Sequence, residues 1–256
     1  MTGLENWFKA AVLEVQEYSR MVGRAGRSLV TPPLYYRDII DQLNIIGIGS
    51  LTVVVLTGLF TGMVLALQSG ITLDMFGARS MVGRLVSASM VKELGPVLTA
   101  LMVAGRVGSG IAAELGSMVV TDQIAALRAL GTDPIRKLVL PRILAGLLMV
   151  PLLTCISVGV GLLGAWIITL TQLKVASGVY WNSVVGGLYI QDVWMGLIKP
   201  FFLGFVIVSI GCHVGLRTSG GTQGVGRATT NAVVASSVAV LVVNFLVTKA
   251  LIFLMY

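Results

Sequence analysis

Charged residues set into an apolar run are the groups in this sequence best placed to do chemistry. Lys92-Glu93-Leu94-Gly95-Pro96 opens such a run, and no further charge follows until Arg106. Ionisable side chains at membrane depth are costly and face a cavity or a partner. Pro96 has no N–H, so the carbonyl of Lys92, four residues back, is a spare acceptor. The competing reading is a helix that starts at the interface with Pro96 in its first turn, and the sequence leaves both open. Arg106 and Glu114 lie two turns apart on nearly one face. They read as structural, pairing through a third group or reaching the headgroups.

Other chemistries find little support. Gly220, Gly221, Gly224 and Gly226 beside Arg227 invite a nucleotide-loop reading, but no strand precedes them and no G-x-x-x-x-G-K-[ST] occurs. A flexible glycine-rich loop over 217–227 is the better expectation. His213 is the single histidine and reads as packed or interfacial. Cys155 and Cys212 lie in apolar runs without metal-ligand spacing, and small core packing is their expected role. No catalytic residue, metal or cofactor is expected on this chain.

The positioning elements must be membrane helices. Of 256 residues, 56% are hydrophobic and 11% charged, with a mean hydropathy of +0.93. That composition cannot coat a soluble globule, which excludes a soluble enzyme, a disordered chain and a disulfide scaffold. The apolar runs are long and do not alternate, so helices rather than barrel strands are expected. The fold class is an all-α integral membrane protein with spans near 45–69, 88–118, 143–170, 195–216 and 230–254. Residues 70–87 and 119–134 read as connections. The 174–192 connection carries Tyr180, Trp181, Tyr189 and, just beyond it, Trp194, an aromatic-belt signal.

Residues 1–30 have a helical period with Trp7, Phe8, Val12, Val15, Tyr18 and Val22 on one face. Such a helix suits a membrane interface; packing on a partner is the alternative. Pro32-Pro33 should end it, and a short second interfacial helix should turn the chain into the bilayer. The division is therefore 1–44, interfacial and elbow helices, and 45–256, a five-span domain. The net charge is +7, and its cations sit between apolar runs, which argues for topology signalling rather than nucleic acid. Their bias puts the N-terminus in the cytoplasm and the C-terminus outside. An odd span count makes a homodimer the simplest symmetric assembly.

Two further patterns concern contacts. Ala100, Ala104, Gly108, Ala112 and Gly116 form a ladder of small residues for close helix or dimer packing, as does Gly58-x-x-x-Gly62. In the second connection, Thr121 or Asp122 is the expected N-cap and Gly131 the C′ residue. Asp133-Pro134 starts the next helix. The enclosed short helix should expose Ile124, Leu127 and Leu130 to a partner groove or rest on the membrane surface.

The stretches KELGPVLTALMVAGRVGSGIAAELGSM (92–118), TDQIAALRALGTDP (121–134) and GVGRATTNAVVASSVAVLVVNFLVT (224–248) resemble the MlaE/YrbE family of ABC-transporter permeases. The resemblance covers nearly the whole chain. It implies a homodimeric permease, with an N-terminal interfacial helix and five spans per subunit, in the bacterial inner membrane. It also implies transport of phospholipids or related lipids between that membrane and a hexameric MCE-domain periplasmic protein, in the service of outer-membrane lipid asymmetry. A cytoplasmic ATPase dimer using ATP and magnesium would drive it, with or without a STAS-domain subunit. The helix within 121–134 would couple to that ATPase through Asp122, Ile124, Leu127, Arg128 and Leu130. Lys92, Glu93, Lys199 and Arg227 match positions where the family carries charge, and the resemblance makes them candidates for the lipid path. Gln68 ends the first apolar run, so Val64, Leu67 and Gln68 are the expected outward mouth of the lipid path. The alternatives are an ion-gradient-driven secondary transporter or channel, and a non-transporting scaffold. An ATPase that co-purifies with the chain would set the permease apart from both.

Overall fold

The computed structural model describes the backbone of residues 2–29 and 35–255, with side chains from Val12 onward. The described residues form eight helical elements: α1 (Thr2–Ser28), α2 (Tyr36–Asp74), α3 (Arg79–Val120), α4 (Gln123–Ala129), α5 (Ile135–Thr171), α6 (Ser177–Gly186), α7 (Ile190–Leu216) and α8 (Gly221–Met255). Five of these, α2, α3, α5, α7 and α8, are long and apolar enough to cross a membrane. The shortest has 27 residues, about 40 Å of helix against a hydrocarbon core of about 30 Å.

Helices form over longer stretches than the sequence suggested, because apolar content marks only the part of a helix in lipid. The expected loop over 70–87 is helical except for a turn around Met75–Ala78. The expected elbow helix and first span are one element from Tyr36, while Pro32-Pro33 lies outside the described residues. The 174–192 connection contains α6. Its Tyr180 is not in a belt: it is buried, and its hydroxyl donates to the carbonyl of Leu162 at 2.9 Å. The glycine-rich stretch 217–227 is mostly the start of α8, because Gly220 and Gly221 take positive φ and turn the chain directly into it. Cys212 is buried as expected, but Cys155 is exposed.

Small residues set the packing. α2 buries Ser50, Val54, Gly58, Gly62 and Ala66 in a four-residue stripe against α5. A Cβ at Gly62 would overlap the backbone carbonyl of Gly161, so the close approach of the two helices requires glycine there. The α3 ladder packs within the same chain, against α7 and α8. Ala100, Ala104 and Ala112 are buried, and Gly108 faces Ser236 and Ile207 at ordinary contact distance. α8 answers with its own stripe, Gly224, Ala228, Ala232, Ser236 and Val240. Its remaining faces, including Val234, Val238, Leu241 and Phe245, are exposed. α1 lies against α5 and α7 through Tyr18, Met21, Val22 and Ala25; Tyr18 hydrogen-bonds Ser209 at 2.7 Å.

Candidate functional site

Pro96 determines how the polar cluster is built. It supplies no N–H to the carbonyl of Lys92, and the chain opens there into a π turn over Met90–Leu94, a local widening that recurs at functional positions. The spare carbonyl accepts a hydrogen bond from Lys199 Nζ of α7 at 2.7 Å. The same ammonium donates to Glu93 Oε1 at 2.5 Å. Glu93 also accepts from Asn244 Nδ2 at 3.1 Å and Thr248 Oγ1 at 3.3 Å, both on α8. Lys92 pairs with Asp192 at 2.7 Å, and Asp192 accepts from the backbone N–H of Tyr189 at the start of α7. Lys199 and Asp192 are buried, whereas the Glu93 side chain remains 41% exposed. One cluster therefore ties α3, α7 and α8 together and keeps one carboxylate open.

Beside it runs an apolar groove of about 340 Å³ between α2 and α3, lined by Phe60, Thr61, Val64, Leu65, Gln68 and Leu94. Leu94 is the sequence neighbour of Glu93, so the turn that carries the cluster also contributes one wall residue to the groove. Val64 and Gln68 line this groove; Leu67, half-buried, does not. Arg106 and Glu114 do not pair with each other. Arg106 donates to Ser50 at 3.0 Å, and Glu114 pairs with buried Arg142 at 2.8 Å.

The short helix α4 falls inside the expected 121–134 segment, with a well-made end. Thr132 N–H bonds the carbonyl of Leu127 and Gly131 N–H that of Arg128, with Gly131 at φ +74. This is a Schellman stop. Asp133 Oδ1 then accepts from Ile135 N–H and opens α5. The other end differs from expectation: Asp122 occupies the N-cap position in a left-handed conformation, without a side-chain cap. The apolar stripe is also not wholly exposed. Ile124 is buried and Leu127 half-buried, whereas Leu130 is 80% exposed, with Asp122 and Arg128 exposed as well. The body of the protein takes Ile124 because a seven-residue helix is held only by what it packs on.

Arg227 is not in the cluster. It sits 21 residues before Thr248 on α8, about 30 Å along the helix, in a separate pocket formed by α1, α7 and α8. The charged positions grouped by sequence are thus divided, Lys92, Glu93 and Lys199 at one end and Arg227 at the other. Sequence reading missed Asp192, Asn244 and Thr248. The signal for the last two was two polar residues four apart in an otherwise apolar run.

Five membrane-length helices, three of them tied by one polar cluster, define the class: a multi-pass membrane protein. The family model Permease MlaE matches residues 39–250. A probable ABC transporter permease protein of Rickettsia conorii is 45% identical over 235 residues, 92% of this chain and 91% of the relative. One from Synechocystis sp. is 42% identical over 209 residues, 82% and 80% of the two chains. The intermembrane phospholipid transport system permease protein MlaE of Haemophilus influenzae is 34% identical over 251 residues, 95% and 96%. The chain belongs to the MlaE permease family and is an ABC transporter permease of that family.

Proposed function

We propose that the chain is the homodimeric, inner-membrane permease of an ATP-driven phospholipid transporter that exchanges lipid with an extracytoplasmic MCE-domain protein and so supports outer-membrane lipid asymmetry. The observation that carries this reading is an apolar groove lined in part by Leu94, the residue next to Glu93 of the Glu93–Lys199 cluster. One part suits acyl chains and the other a zwitterionic or charged headgroup, the combination expected of a lipid site. The phospholipid named for the Haemophilus relative fits that chemistry. α1 would lie in the interface with the N-terminus cytoplasmic and the C-terminus periplasmic. An ATPase dimer using ATP and magnesium, with or without a STAS-domain subunit, would press on α4, and two copies of the bundle would alternate the exposure of a shared cavity.

A photo-crosslinker at Gln68, which lines the groove, should capture phospholipid, while one at Leu67 should capture less. Absence of lipid from both, with capture elsewhere on the chain, would refute the groove assignment. Coupling is best tested at Leu130, whose exposure separates partner binding from folding. Leu130→Asp would bury an unpaired charge at the contact, a penalty of several kcal/mol. Permease abundance should stay normal while ATPase co-purification falls by about a hundredfold or more. Wild-type co-purification in this variant would refute the coupling role.

A further inference from the structure

The pocket that holds Arg227 has properties that the Glu93 cluster lacks. Its volume is about 530 Å³, with His213 and Arg217 near the end of α7, Thr218 just beyond it, and Arg227, Asn231 and Val234 on α8. His213 and Thr218 are each more than nine-tenths buried, yet His213 Nε2 and Thr218 Oγ1 have no hydrogen-bond partner. Buried polar atoms are nearly always satisfied; both orphans are closed off from solvent, Thr218 Oγ1 against Gly116, so a ligand offering acceptors in this pocket would meet them after a side-chain turn. Arg227 has no side-chain partner among the described residues. Arg217 is engaged by Glu17 at 3.3 Å and more loosely by Glu14 at 3.8 Å, both exposed carboxylates of α1. Glu14 also lines the pocket and offsets part of its positive charge, to which the positive end of the α8 dipole adds.

We propose that this pocket binds the phosphate of a membrane phospholipid, as a second lipid site at the opposite end of the bundle from the Glu93 cluster. The proposal rests on the lipid-transport reading above and deepens it. An oxyanion with several acceptor oxygens suits an arginine fork, a hydroxyl, an imidazole nitrogen and the Asn231 amide together. The pocket is far larger than one phosphate, and its α8 wall does not end with the polar groups. Val234, Val238, Leu241 and Phe245 continue the face of Arg227 and Asn231 at three- and four-residue spacing, each more than half exposed. That face is where acyl chains attached to the bound phosphate would lie. It runs from Arg227 to Thr248 of the Glu93 cluster, about 30 Å, the thickness of the hydrocarbon core.

The test titrates the full-length detergent-solubilised protein with dimyristoyl phosphatidylglycerol and, separately, with dimyristoylglycerol, which has the same chains and no phosphate. Binding is read by native mass spectrometry. Wild type should prefer the phospholipid by about tenfold or more, the scale of one charge-assisted contact. Arg227→Gln should abolish the preference at unchanged melting temperature, and Thr218→Val should reduce it several-fold. Inorganic phosphate at millimolar concentration should not displace the lipid. Equal binding of the two lipids, displacement by inorganic phosphate, or a preference that survives Arg227→Gln would overturn the proposal. Exchange of labelled phospholipid between the protein and vesicles is measured in parallel. If exchange occurs but Arg227 has no effect on the preference, the pocket assignment alone fails. If no exchange occurs, the transport reading fails, and the phosphate preference is still read independently.

Discussion

The two polar ends of this bundle differ in how far their charges meet one another, although each holds an orphaned buried atom, Asn244 Oδ1 at the first and His213 Nε2 and Thr218 Oγ1 at the second. At one end every charged group is matched: Lys199 with Glu93 and the Lys92 carbonyl, Lys92 with Asp192, and Glu93 with Asn244 and Thr248. At the other, buried His213 Nε2 and Thr218 Oγ1 are unmatched among the described residues, beside an Arg227 without a side-chain partner among them. Buried charges that satisfy each other fix where helices sit; buried donors left over mark where something else must sit. The first end should therefore dominate stability and the second should contribute almost nothing to it.

The largest effect that would sharpen this contrast is Glu93→Ala. It strands the Lys199 ammonium, whose side chain has no solvent exposure, with a single carbonyl acceptor. Breaking a buried pair this way costs about 3–5 kcal/mol, read as a large drop in melting temperature in detergent. Arg227→Ala should leave that temperature unchanged, and a comparable drop there would erase the distinction. Next in size is Lys199→Met. The buried charge disappears, and the remaining carboxylate is partly exposed and still hydrogen-bonded by Asn244 and Thr248. A loss of about 1–2 kcal/mol is expected, clearly less than for Glu93→Ala. If the two variants are equally damaged, Glu93 is desolvated as fully as its partner.

The smallest effect compares two threonines. Thr248→Val removes a donor to Glu93 and should cost about 1 kcal/mol. Thr218→Val removes an orphaned hydroxyl and should be neutral or slightly stabilising in the lipid-free protein. Thermal melts of delipidated samples decide the pair, and destabilisation by Thr218→Val would mean that its hydroxyl is already satisfied from within the fold.

Part of this comparison was legible beforehand. Pro96 announced a spare carbonyl at Lys92, and the structure fills it with Lys199. Charges in an apolar run announced the cluster, and the turn grammar of Gly131 and Asp133-Pro134 located the end of α4 and the start of α5. The exposure of Ile124 was misread, since helical period shows which residues share a face and not whether the body of the protein already covers it. Asp192, Asn244 and Thr248 were missed because each is an ordinary residue until another helix brings a charge to it.

By itself the sequence determined five apolar helices, the family they belong to and the small-residue stripes through which they pack, because lipid burial and close helix approach act on composition and spacing along one helix. Only the tertiary structure decided that the Ala100–Gly116 ladder is used within the chain and that Arg227 is separated from Glu93 by the length of α8. It alone paired Arg106 with Ser50 and Glu114 with Arg142. The physical reason is that partners here lie on different helices, up to 191 residues apart in the case of Tyr18 and Ser209. Periodicity fixes the face each residue occupies, and only the packing of the helices fixes what that face meets.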